Sequence, residues 1–321
     1  MIDDAGRAAD APGATPEAHA TGTAFTLLAA LGFAAVSTLT SVAVGHGTSL
    51  ANVLTWRYVL ASVVLVAYVG ARGYPRMASR EVAKFIFIGG GGQALLVGLA
   101  LSSIAYIPVA TLAFLFYTYP SWVTIVQAVR GAERVTMRRI VALGLSFGGI
   151  VVIAGLPLGA RLGAAAVAAP PPVPDAGYWT GVGLALAAAV VYGAYIPTMQ
   201  VLQKSHAVPV TSALAKIGSA ACFLVWSASN RSFDMHLSAS AWGTIAALAL
   251  FSTVLPSVFF LMGLMRLGPV RTAIVSTVEP FITAIIGAVV LGQALTARTL
   301  VGGAMIVSAV VILQYRRERV A

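Results

Sequence analysis

The chain has 321 residues, of which 59% are hydrophobic and 9% charged, and its mean hydropathy is +0.91. A water-soluble domain carries about a quarter of its residues as charges, so a soluble globular fold is excluded and the bilayer must be the main solvent. The net charge of +10 does not mark a nucleic-acid binder, because the basic residues are scattered among short islands and are not interleaved with base-stacking aromatics.

Residues 1–22 are rich in Ala, Pro, Gly, Thr and Asp and lack apolar periodicity, which reads as a disordered cytoplasmic tail. The run over 23–44 is too long for a signal-peptide core and follows acidic rather than basic residues, so it reads as an uncleaved first span. About twenty apolar residues are needed to cross a hydrocarbon core. Nine further segments meet that length, at 50–71, 85–104, 108–129, 140–157, 178–200, 208–229, 241–265, 269–291 and 299–315. The expected fold is an all-α membrane protein of ten transmembrane helices.

Loop charges orient the spans. With the amino terminus inside, the inner segments hold fifteen basic residues, among them Arg72, Arg76, Arg80, Lys84, Arg130, Arg134, Arg138, Arg139, Lys204, Arg316 and Arg317. The outer segments hold only Arg161, Arg231 and Arg298. The positive-inside rule then predicts both termini in the cytoplasm and a bacterial-type inner membrane. Inner arginines facing anionic lipid also account for the net charge.

The sequence repeats itself. A shift of 160 positions sets Ala113 on Ala273, Pro120 on Pro280 and Thr136 on Thr296, and a shift of 159 sets Arg57 on Lys216 and brings Phe33 close to Tyr192. Each half holds five spans, at 23–157 and 178–315, separated by an outer linker over 158–177 and followed by a basic tail over 316–321. Five is odd, so the second half enters the membrane from the opposite side. Inverted repeats of this kind recur in secondary transporters, whose related halves exchange conformations around a central site.

The repeated pattern is a proline-bearing apolar span, a short polar turn and a glycine-rich span. The turn is Gly131-Ala132-Glu133-Arg134-Val135-Thr136 in the first half and Leu291-Gly292-Gln293-Ala294-Leu295-Thr296 in the second; Leu267-Gly268-Pro269-Val270 and Glu279-Pro280 add to it. It resembles the EamA repeat of the drug/metabolite transporter superfamily over nearly the whole chain after residue 22. Gln293 and Ala294 stand where the family's turn usually has glutamate and arginine, so a turn ion pair is not expected there. The resemblance implies two inverted five-helix repeats around a central cavity and export of amino acids or other metabolites.

Ionisable residues deep in spans are costly and need a local reason. Arg57 and Lys216 occupy matched places in the two halves, and the symmetry sets one cation toward each mouth of the pathway, where a carboxylate or phosphate would meet it; snorkelling to an interface is the alternative. Glu279, directly before Pro280, is the only acidic residue deep in a span and the candidate for proton coupling. The alternative is a carboxyl bonded to backbone groups freed by Pro280, or paired with Arg57 or Lys216. Tyr119 is the repeat partner of Glu279, so it and Tyr192 are expected to line the cavity, while Tyr117, Trp122 and Tyr195 read as packing residues that could also supply ring faces.

No catalytic residue, metal site or cofactor is expected. Metalloprotease spacing, paired intramembrane aspartates and a Walker loop are missing, and Cys222 is the single cysteine. The expected partners are a small-molecule solute, with proton coupling as an option, and membrane lipids, not nucleic acid. A non-transporting regulatory or scaffolding membrane protein is the competing reading, and cargo and oligomeric state stay open.

Overall fold

The computed structural model describes residues 16–75, 77–129, 136–154, 176–203 and 206–314. The first half's turn at residues 131–135, most of the expected linker and the last seven residues lie outside these segments. Every regular element described is helical. The first half comprises α1 (Pro16–Gly45), α2 (Leu50–Arg72), α3 (Ser79–Ala105), α4 (Val109–Phe116), α5 (Tyr119–Val129) and α6 (Met137–Ala154). The second comprises α7 (Ala176–Gln203), α8 (Val208–Ser229), α9, α10 (Glu279–Leu291) and α11 (Ala297–Gln314). Here α9 runs from Ala239 through a π-turn at Leu250–Val254 into Leu255–Ser276.

Among the described residues eight helical stretches are long and apolar enough to cross a bilayer, α4 and α5 together forming one of them. Two shorter apolar helices, Glu279–Leu291 and Ala297–Leu313, complete the ten. The protein is therefore an all-helical, multi-pass membrane protein of two inverted five-helix repeats. One boundary moves: α1 begins at Pro16, so residues 16–22 of the expected tail are helical. Proline is pre-organised for a first helical turn, and Glu17, Ala18 and Ala20 are good helix formers, a signal hidden by the biased composition.

Symmetry is visible in the defects. The fourth span of each half is interrupted by a two-residue turn, at Tyr117–Thr118 and at Thr277–Val278, offset by the same 160 positions as the sequence repeat. The third span of each half contains a π-turn, Phe85–Gly90 and Leu250–Val254. Helix α2 packs on α8 and α6 on α11, so each helix of these pairs meets its own counterpart. By contrast α7 packs on α3 and α5, as α1 packs on α9 and α10.

The π-turns have traceable causes. Pro256 lacks an N–H to donate back along its helix, and the turn widens immediately before it. In α3 the widened turn lies in a glycine run, where a Cβ on Gly90 would stand 2.5 Å from Cα of Gly218 and one on Gly218 would meet the Ile86 carbonyl. Carbonyls there are satisfied from the facing helices. Tyr195 Oη donates to Gly89 O at 3.0 Å, and Ser219 Oγ to Gly90 O at 3.0 Å. Gln293 supplies another such bond, its Oε1 accepting from the Val109 N–H at the start of α4 at 2.9 Å. The second half's turn thus caps a helix of the first half without an ion pair.

Packing is uneven along the bundle. At the end where α1 finishes and α2 begins, Asn52 is fully buried and holds the α8–α9 connection through both backbone groups of Asp234, with Nδ2 to the carbonyl at 3.0 Å and Oδ1 from the N–H at 3.3 Å. Trp56 donates to the same carbonyl, stacks on Phe233 and meets Trp242 edge to face. Toward the other end, every residue of α5 from Trp122 to Ala128 is only half-buried.

The seam between α6 and α11 depends on two glycines: a Cβ on Gly149 would stand 2.6 Å from Gly302 O, and one on Gly302 2.7 Å from Gly149 O. Gly149→Leu is expected to destabilise the protein by about 1–3 kcal/mol through overpacking. Gly144→Ala on the same helix, where a Cβ meets nothing within 4 Å, should leave the melting temperature in detergent unchanged or slightly raised. Equal melting for both variants would refute the tight seam.

Candidate functional site

The expected pair of separated cations is not what the structure places. Arg57 is the eighth residue of α2 and Lys216 the ninth of α8, counted from starts at opposite ends of the bundle. Both side chains reach inward instead of to their own mouths. The Arg57 guanidinium carbon lies 5.3 Å from the centre of the Tyr58 ring, and the Lys216 Nζ lies 5.2 Å from the same centre. The mouth assignment is corrected accordingly: α2 and α8 pack against each other, and long flexible side chains on facing helices can meet between their Cα positions.

Arg57 is 5% exposed. Its Nε donates to Thr253 Oγ1 at 2.9 Å, while its Nη1 is buried with no hydrogen-bond partner. Thr253 lies in the π-turn of α9 and donates in turn to Leu248 O at 2.9 Å. The turn that Pro256 enforces therefore presents the hydroxyl that positions Arg57. Among the described residues neither Arg57 nor Lys216 has a carboxylate partner. Tyr58 gives both a ring face and no charge, which attracts a cation without neutralising it.

Glu279 is elsewhere. It opens α10 just after the turn at Thr277–Val278 and receives a hydrogen bond from Tyr117 Oη at 3.2 Å; the same hydroxyl lies 2.6 Å from Ser276 O. Neither alternative partner expected from the sequence, the backbone freed by Pro280 or the cations, holds its carboxylate. The interruptions of the two symmetry-related spans thus meet, Tyr117 from one bonding to residues flanking the other. Glu279 interacts electrostatically with Tyr119 and Tyr192.

Between the carboxylate and the cations runs a row of tyrosines. Ring centres are 5.8 Å apart for Tyr117 and Tyr119, 4.7 Å for Tyr119 and Tyr192, and 6.3 Å for Tyr192 and Tyr195. Tyr195 reaches the field of Tyr58. Tyr119, Tyr192 and Tyr195 are half-buried, with Phe116 beside the first two. The five residues singled out by sequence therefore fall in two groups, Glu279 with Tyr119 and Tyr192 along the tyrosine row, and Arg57 with Lys216 at the Tyr58 ring.

Sequence reasoning missed Tyr58 and Thr253 and took Tyr117 for a packing residue. Tyr117 carried a usable signal, since it aligns with Thr277 at the helix break. Thr253 carried one only through its nearness to Pro256. No cluster of metal-ligating side chains occurs among the described residues.

The chain matches the model of the EamA-like transporter family over residues 20–155 and 179–315. Its fold is similar to that of a protein solved by crystallography, with 19% identity, a TM-score of 0.61, and coverage of 92% of this chain and 97% of that one. No curated protein matches it in sequence.

Thr253→Val keeps the shape at the π-turn and removes the acceptor of the Arg57 Nε–H. Leaving that buried charged donor unpaired is expected to cost about 1–3 kcal/mol, with Thr253→Ser restoring most of it. Unfolding in detergent measures this, and an unaffected Thr253→Val protein would show that the bond does not hold Arg57.

Proposed function

We propose that this chain, which belongs to the EamA-like transporter family, is a secondary transporter that exports a small organic metabolite, such as an amino acid, by alternating access. Members of the family are transporters of small molecules rather than enzymes. The observation that carries the reading is the meeting of the two helix interruptions inside the membrane. There Tyr117 bonds across to Ser276 and Glu279, and a row of tyrosines leads to two cations. A static structural protein gains nothing from charges that cost several kcal/mol in hydrocarbon, whereas a carrier needs polar groups where a solute must shed its water.

In this reading Arg57 and Lys216 bind an anionic group, and Tyr119 and Tyr192 line the path and contact the apolar part of the solute. Glu279 exchanges a proton, with Tyr117 as its hydrogen-bond partner. The inverted repeats rock about the seams α2–α8 and α6–α11, exposing the path to one side at a time. The excess of basic residues on one side supports a bacterial-type inner membrane with both termini in the cytoplasm, and export is then movement away from that side.

The test is flux in liposomes of the purified protein, using labelled amino acids and related metabolites with and without a pH gradient. Uphill movement driven by the gradient is expected for the native chain. Glu279→Gln should lose gradient-driven accumulation by at least tenfold while retaining exchange down a solute gradient. Accumulation that persists in Glu279→Gln would remove the residue from coupling, and no flux of any solute would overturn the transporter reading.

A further inference from the structure

The charge count around Tyr58 says what kind of solute the site takes. Two cations face one ring, at 5.3 and 5.2 Å from its centre. One Arg57 nitrogen is buried without any acceptor, in a side chain only 5% exposed. The single deep carboxylate does not compensate them. Glu279 bonds to Tyr117 and acts on Tyr119 and Tyr192, and among the described residues no ion pair or hydrogen bond links it to either cation.

An α-amino-acid headgroup does not fit this arrangement as a bridge. Its ammonium and carboxylate sit on one carbon, whereas Glu279 is held by Tyr117 and the two cations by the Tyr58 ring, with no hydrogen bond or ion pair joining the two groups among the described residues. A zwitterion placed at the cations would bring its ammonium to two positive charges with no acid beside them. A monoanion would neutralise one cation and leave the other without a counter-charge deep in a span, which is the costly case. Two negative charges balance the site, and a planar carboxylate or a phosphoryl group gives the free Arg57 N–H its missing acceptor.

We propose that the solute is a dianion whose two negative charges are seated between Arg57 and Lys216 at Tyr58, its remainder lying along the tyrosine row. This rests on the reading of the chain as a carrier. A dicarboxylate and a phosphomonoester share the required chemistry.

The experiment is counterflow into phosphatidylcholine liposomes of the full chain, each preloaded with the unlabelled form of the labelled solute outside. The solutes are succinate, glycerol 3-phosphate and, as a zwitterion of no net charge, phenylalanine. At least one dianion is expected to enter tenfold or more faster than phenylalanine; preference for succinate assigns carboxylates, and preference for glycerol phosphate assigns a phosphoryl group. Lys216→Gln and Arg57→Gln should each lower that uptake at least tenfold, while Lys216→Arg keeps most of it. Melting temperature with and without the solute shows that each variant is folded, and the rise on binding should vanish in Lys216→Gln. Uptake of phenylalanine without uptake of any dianion overturns the proposal and leaves the carrier reading standing. Unchanged dianion uptake in folded Lys216→Gln also overturns it. No uptake of any solute by a folded native protein overturns both.

Discussion

In hydrocarbon no water is available to a broken helix, so each backbone N–H and C=O released by a turn must find a partner inside the protein. At the four helix defects among the described residues, side chains of the protein cover freed carbonyls, and some of these side chains belong to the polar site. Tyr195 and Ser219 cover carbonyls of the Phe85–Gly90 turn. Thr253 belongs to the Leu250–Val254 turn and holds Arg57. Tyr117 leaves the break in one span and bonds to Ser276 at the break in the other. Two of the side chains that repair the backbone, Thr253 and Tyr117, also hold the charged residues Arg57 and Glu279, so fold and site share hydrogen-bonding groups.

Inverted symmetry explains why these groups come together. Where α2 packs on α8, each helix faces its own counterpart, and a residue at a matched place in both halves approaches itself across the interface. Arg57 and Lys216 are such a pair, and their side chains are long enough to converge on Tyr58. The α6–α11 seam follows the same rule with Gly149 and Gly302, where small size allows backbone contact.

Much of the fold was legible in the sequence because the bilayer imposes a length on each span and the repeat imposes an offset. The 160-residue shift found in Pro120 and Pro280 is the offset of the helix breaks. Composition misjudged the start of α1, since an Ala-rich, Pro-bearing segment reads as disorder although its residues suit a helix. For the site, the rarity of intramembrane charge singled out Arg57, Lys216 and Glu279. What the sequence left unread was direction: side-chain reach decided that the two cations meet, and Thr253 became a partner of Arg57 only through a widened turn whose register no periodicity reveals.

Two identical inverted halves would make the states open to either side equal in free energy, so any bias must come from residues that break the symmetry. The 159-residue offset carries Asn52 onto Thr211 and Trp56 onto Ala215. Asn52 and Trp56 strap the α8–α9 connection across one end with hydrogen bonds to Asp234 and stacked rings. At the other end Thr211 only accepts a local bond from Gln203 and donates to Val208 O, and Ala215 has no ring to stack. The strap ties the α8–α9 connection to α2 at the Asn52 end, and it sits within about two turns of Arg57 on the same helix. Under the carrier reading proposed above, a solute that draws Arg57 away from Thr253 would act on the helix that carries the strap, the kind of link a carrier needs between occupancy and the choice of open side.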